Sequence, residues 1–282
     1  MSDGTLREFL TSRRAAITPD MAGLPAATAT RRVPGLRREE VAILAGVSVE
    51  YYIKLEQGRA SNISEPVLHA IEQALQLDDI ERRHLRTLVR ASQRGASGSA
   101  ARPKARPAVL AMVDAMSVPA MVHGPLLEVL GMNAVARVLF DDFSAMPVGH
   151  RNLARWMFLN PRAREVYLDW EKHAADMVGI LRAVPDGPRS EALQRLVQEL
   201  SSTAPDFARH WADYRIFEHT HGVKRFFNET VGELKVNFET LPLPGDEGQN
   251  LIVYSADVGS PSAEKLQLLG NWAASPKSTQ PR

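Results

Sequence analysis

Gly46 stands four residues after the small Ala42, one before the apolar Val47 and two before Ser48, a residue type that caps helices. That spacing leaves little freedom in residues 34–59, PGLRREEVAILAGVSVEYYIKLEQGR. Val41, Ala45, Tyr52 and Leu55 recur at helical intervals and predict two short helices with inward faces. Ala42 lets the two backbones approach. Gly46 supplies the positive φ at which a helix stops and reverses. Val47 plugs the corner, and Ser48 accepts a bond from a backbone N–H of the next helix. This is the geometry of a helix-turn-helix.

Such a motif places the front of its second helix in a DNA major groove. Val49, Glu50 and Lys54 are left facing outward there, while Tyr52 is taken by the core. Lys54 can donate to guanine O6 and N7, Glu50 can accept from cytosine N4, and Val49 can touch a thymine methyl. Glu50 can equally pair with a neighbouring arginine. Tyr51 cannot share a face with Tyr52 and becomes a phosphate or sugar contact. Ser48, Gln57 and Arg59 border the same surface, and Arg37 and Arg38 are read as sequence-independent phosphate contacts. Arg7, Arg13 and Arg14 form a basic face on the first helix, open to either solvent or phosphate. The long connection at 17–34 is an idle loop or a basic arm; Arg31 and Arg32 favour the arm.

The segment, with its trailing Leu55-Glu56-Gln57-Gly58, resembles the repressor-type (Xre, Cro/phage-repressor-like) helix-turn-helix family. By position, Val49, Glu50 and Lys54 match that family's base-reading residues. The fuller string is similar to actinobacterial and proteobacterial regulators that carry an MmyB-like ligand-binding domain behind the motif.

Charge is distributed to match. Residues 1–94 carry 14 Lys/Arg against 12 Asp/Glu, and 108–282 carry 17 against 21. The front is the positive end, where phosphates would sit. Helical periodicity continues through Val67–Leu77 and Ile80–Val89, which predicts a five-helix domain over 1–92. Residues 93–107, QRGASGSAARPKARP, are small, polar and basic, the composition of a flexible linker.

From 108 to 274 the texture changes. Runs at 119–123 and 126–133 predict a hairpin around Gly124-Pro125. Helices are expected at 134–140, 151–159, 162–184, 190–200 and 206–214. Period-two alternation at 223–228, 232–241 and 250–258 predicts three strands, and Ser260-Pro261 opens a last helix before a disordered tail at 275–282. The fold class is therefore multi-domain, all-α followed by α+β with an antiparallel sheet.

RNLARWMFLNP (151–161), THGVKRF (220–226), VGEL…FETLPLPGD (231–246) and LIVYSADVGSPSAEKLQLL (251–269) resemble the MmyB-like domain, which implies a PAS-like architecture and a fatty-acid-like effector. Asn133-Ala134 departs from relatives, which often have Trp there. Large apolar groups compatible with such a ligand include Trp156, Trp170, Met177, Leu181, Trp211 and Phe217; Arg155, His221 and Lys224 are the candidates to meet its head group. The same residues could simply form a core, leaving a dimerisation or protein-interaction module. His219 and His221 lack a third and fourth metal ligand, so no metal or cofactor is expected. No nucleophile elbow, zinc-protease motif or phosphate loop is present, so no enzyme is expected. No cysteine, no secretory leader and no long apolar run point to a cytoplasmic protein without a membrane segment. The partners implied are an operator duplex and a second copy of the chain, giving a homodimer.

Overall fold

A computed structural model describes residues 3–24, 35–60, 63–93, 103–184, 190–246 and 248–274. Arg31 and Arg32, most of the 93–107 segment and the 275–282 tail lie outside the described residues. The chain divides into two compact units, one built on residues 1–100 and the other on 101–184 and 193–282.

The first unit is helical: α1 (Asp3–Ala16), α2 (Arg38–Leu44), α3 (Val49–Glu56), α4 (Glu65–Ala74) and α5 (Asp79–Gln93). Its core takes Leu6, Phe9 and Leu10 from α1, Val41 from α2, Tyr52 and Leu55 from α3, Ile71 from α4 and Leu85 and Leu88 from α5, all essentially sealed from solvent. Gly46 has φ of 64°, in the left-handed region the turn requires. Ser48 Oγ accepts from the Tyr51 N–H at 3.1 Å and starts α3. Ser64 occupies the corresponding place before α4 but makes no side-chain cap; Pro66 in the first turn sets that entry instead.

The second unit opens with α6 (Pro107–Asp114), a helix the sequence reading passes over. Its core-facing Val109 and Val113 pack under Ala120, Val122 and Leu251, while its other sides are also small or apolar, so no polar stripe marks the period. Residues 103–107, read as linker, run along this unit: Arg106 pairs with Asp246 at 2.6 Å and the Lys104 carbonyl accepts from Gln249 at 3.1 Å.

Five antiparallel strands form the sheet, β1 (Ala120–His123), β2 (Val129–Met132), β3 (His221–Asn228), β4 (Gly232–Pro242) and β5 (Asn250–Ser255), in the order β2-β1-β5-β4-β3. Between β2 and β3 come α7 (Ala134–Leu139), α8 (Leu153–Leu159), α9 (Arg162–Val166), α10 (Trp170–Ala183), α11 (Ser190–Thr203) and α12 (Pro205–Ala212). The single helix expected over 162–184 is thus two. Tyr167 forms an isolated bridge to Phe226, the Leu168 N–H donates to the Arg225 carbonyl, and Arg225 holds Asp169 at 2.6 and 2.9 Å. Pairing with the sheet edge therefore outcompetes one helical turn. α13 (Pro261–Ala274) lies beside β4 and α7.

Register decides which side chains meet the helical layer. Lys224 pairs with Val236, Gly222 with Phe238, Phe238 with Tyr254, and Met121 with Ile252. With period two these share one face, and that face fronts α8 and α10.

Candidate functional site

On the first unit the helix-turn-helix leaves one side of α3 bare. Ser48, Glu50 and Lys54 are exposed, and Val49 and Tyr51 are half-buried. Gln57 closes the helix with its N–H on the Ile53 carbonyl, and Arg59 is exposed just beyond. Arg37 is exposed before α2, its backbone N–H held by Glu40 Oε2 at 2.6 Å.

Arg38 is occupied differently. Its Nε and Nη2 reach Glu56 Oε1 at 3.1 and 2.7 Å, and Arg14 Nε reaches Oε2 at 3.3 Å. Glu56 is buried; burial alone would raise its carboxyl, but the guanidinium bonds outweigh that and hold it below the usual range. Arg14 also donates to the Leu36 carbonyl at 2.8 Å, and Arg13 pairs with Glu81. These arginines fasten α1, α2, α3 and α5 together. Sequence reading placed Arg38 among phosphate contacts because its partner lies far along the chain.

The second unit encloses a cavity of about 220 Å³ between the inner sheet face, α8 and α10. That is below the usual range of small-molecule pockets, ~300–1,000 Å³. Met121, Leu127, Met157, Met177 and Ile180 give it an apolar wall. Leu127 holds φ of 65°, an uncommon conformation for a leucine and of the kind found at ligand clamps. Of the nine candidate ligand residues, Met177, Phe217, His221 and Lys224 line this cavity.

The other five do not. Arg155 is fully engaged with Glu199 at 2.7 and 2.8 Å and with the Gly149 carbonyl at 3.0 Å. Trp156 is buried and donates to Asp141, and Trp170 donates to the Met157 carbonyl. Leu181 is sealed in the core, and Trp211 stacks on Phe207 under the Arg182 guanidinium. Asn133 and Ala134, the departure noted above, border an open groove of about 590 Å³ beside α13.

Lys224 is the polar centre of the cavity. It is buried, and its Nζ meets His219 Nε2 at 2.9 Å. His219 Nδ1 meets Thr240 Oγ1 at 2.8 Å, and its ring stacks on Phe238 at 4.0 Å. Both ring nitrogens of His219 are thereby occupied within the protein. Burial pulls the Lys224 amine down to about 7, with Asp176 opposing and Lys172 adding to the shift. Burial and the Lys224 charge hold His219 neutral, far below the ordinary histidine value. Sequence reading missed His219, His123, His173 and Asp176 as cavity residues; for His219 the signal was alternation with His221, taken as a metal question only.

No helix among the described residues is long and apolar enough to cross a membrane. A helix-turn-helix domain model matches residues 5–85. The model of the MmyB-like transcription regulator ligand binding domain matches residues 105–269. No curated protein matches the chain. With that model covering more than half of its length behind a helix-turn-helix, the chain belongs to the MmyB-like transcription regulators.

Proposed function

We propose that the chain is a one-component regulator that reads an operator duplex through α3 and answers to a lipophilic, fatty-acid-like molecule in the second unit. For the DNA half, Lys54, Glu50 and Val49 carry base preference, while Arg37, Tyr51, Ser48, Gln57 and Arg59 hold the backbone; Arg31 and Arg32 remain candidates for an arm. The exposure of Lys54 and Glu50 on an otherwise packed helix supports this. One α3 spans only a few base pairs, so the operator is read by a homodimer with half-sites about one helical turn apart.

The effector half rests on one observation: an apolar cavity with Lys224 Nζ as its polar focus. A solid core at this place would have favoured an interaction module alone. The chain of the effector lies along Met177 and Phe217, and its oxygenated head reaches Lys224 beside His221. Binding changes operator affinity only by the difference in affinity for two conformations. An ordinary coupling of ~1–3 kcal/mol corresponds to ~5–150-fold.

The test selects an operator from random duplexes, then titrates saturated acids of increasing length against the complex. Native mass spectrometry of protein purified without detergent checks for a resident lipid. If no acid binds and none is carried, or if binding leaves operator affinity unchanged, the effector reading is lost while the DNA reading stands.

A further inference from the structure

The cavity holds a primary amine that is met by ring faces and a histidine but by no carboxylate of its own. Lys224 Nζ has one side-chain hydrogen-bond partner among the described residues, the His219 ring. Among the described residues, Asp176 is the one carboxylate in the cavity wall. Its Oδ2 meets Lys172 at 2.9 Å and His173 at 3.8 Å, and its Oδ1 lies 3.4 Å from Arg215. The rest of the ionisable wall is basic or phenolic: His123, Lys172, His173, His219, His221, Tyr167 and Tyr254. A buried cation among bases, with no carboxylate of its own, gives up its proton readily. The pull of the amine to about 7 agrees with that geometry.

A buried amine that gives up its proton near neutral pH and faces an apolar space is a nucleophile. We propose that Lys224 captures a small lipophilic aldehyde as a Schiff base, the apolar wall taking the aldehyde's chain. This rests on the effector reading above and names the reactive class of ligand. A carboxylate head meets the protonated amine; an aldehyde uses the unprotonated form that burial makes accessible near neutral pH.

The step balances without an oxidant or reductant. The Nζ lone pair forms a bond to the carbonyl carbon, the carbonyl π pair moves onto oxygen, and that oxygen takes one of the two amine protons to become a hydroxyl. His219 Nε2, 2.9 Å from Nζ, accepts a hydrogen bond from the amine and so orients its lone pair. This requires the tautomer whose Nδ1–H donates to Thr240 Oγ1. The second amine proton leaves with the hydroxyl as water while the carbon–nitrogen double bond forms. Aldehyde and amine become imine and water. When the imine is protonated, its charge sits where the ring faces of Phe238, Tyr167 and Tyr254 lie 4.5, 5.8 and 5.9 Å from Nζ.

The test incubates the full chain with octanal near one equivalent and sodium cyanoborohydride, followed by intact mass and peptide mapping. One reduced octyl adduct per chain, mapped to Lys224, is expected. Lys224→Met should lose it. Met177→Trp, which fills the cavity and keeps the amine, should lose it too, so that the result does not hang on one variant's folding. His219→Phe, which removes the hydrogen bond that orients Nζ, should slow trapping while leaving the adduct on Lys224. Labelling spread over surface lysines with none at Lys224, or unchanged labelling in Lys224→Met, overturns the proposal. Calorimetry with octanoate separates the two readings. If octanoate binds but no adduct forms at Lys224, the covalent step alone falls. If neither binds nor reacts, the effector reading falls with it.

Discussion

Arg38 and Glu56 are joined across 18 residues by two bonds to one carboxylate oxygen, and Glu56 is almost wholly buried at the end of α3. The pair ties the first helix of the motif to the second. Removing Arg38 leaves a buried carboxylate held by Arg14 and Thr11 alone.

Arg38→Ala should therefore act on stability before it acts on DNA. Breaking a fully buried pair costs ~3–5 kcal/mol; with two donors remaining and Arg38 itself partly exposed, about 1–3 kcal/mol is expected. Because the Glu56 carboxyl is held low in the folded state, the stability it contributes is present above its unfolded value and lost as pH falls through the folded one. Denaturant melts of the wild type and Arg38→Ala should converge on acidification. Equal melts at neutral pH, with only DNA affinity reduced, would return Arg38 to the phosphate contacts.

Lys54→Ala should behave in the opposite way. Lys54 is exposed on α3 and has no packing role, so melting should not change. Operator affinity should drop by ~1–3 kcal/mol and preference should relax at one base pair. Arg37→Ala should weaken every sequence alike and lower the salt slope by about one. Binding measured on the operator, single-base variants and random duplex at several salt concentrations separates the two.

The helix-turn-helix was legible because its determinants are local: Ala42, Gly46, Ser48 and Tyr52 lie within about ten residues of one another. The strands were legible for a similar reason, since Leu234, Val236 and Phe238 alternate with charged residues. What escaped was set by distant partners. Glu56 gives no local sign that Arg38 and Arg14 enclose it. Arg155 read as a ligand anchor, yet Glu199, 44 residues away, takes it up. The break at Tyr167 depends on β3, 59 residues later. Lys224 was within reach, because two-residue spacing puts it on the same face as Phe226. Its lack of a carboxylate could not be seen before the fold.

Lys224 should also leave a pH signature in stability. The unfolded chain keeps lysine near 10.5, whereas the folded amine lies near 7. Between those values the unfolded state binds more protons, so wild-type stability rises with pH across the window and is flat and lowest below about 7. Lys224→Met removes this titration. The variant should be the more stable protein near neutral pH, by an order of a few kcal/mol, with the gap closing as pH approaches the lysine range. Thermal melts of the pair over that range check the sign. A gap that widens with pH would show that the amine is stabilised as a cation.

The exposed face of α13 carries the last prediction. Leu268 and Trp272 are four residues apart, hence on one side of the helix, and are 59% and 57% exposed. Tryptophan is enriched among residues that dominate binding energy at interfaces. The proposed regulator needs two copies on its operator, and a two-fold interface uses the same patch twice. Any loss at Leu268 or Trp272 is then counted once per copy. A Leu268→Ser, Trp272→Ser double variant should sediment as a monomer at concentrations where the wild type is a dimer. Its second unit should stay folded, because neither side chain is buried within its own unit, and any fall in melting temperature should follow the loss of the dimer. Operator affinity should fall with the dimer, while octanoate binding in the cavity should not change. Sedimentation velocity over a dilution series decides it. A variant that dimerises as tightly as the wild type would place the interface on another surface.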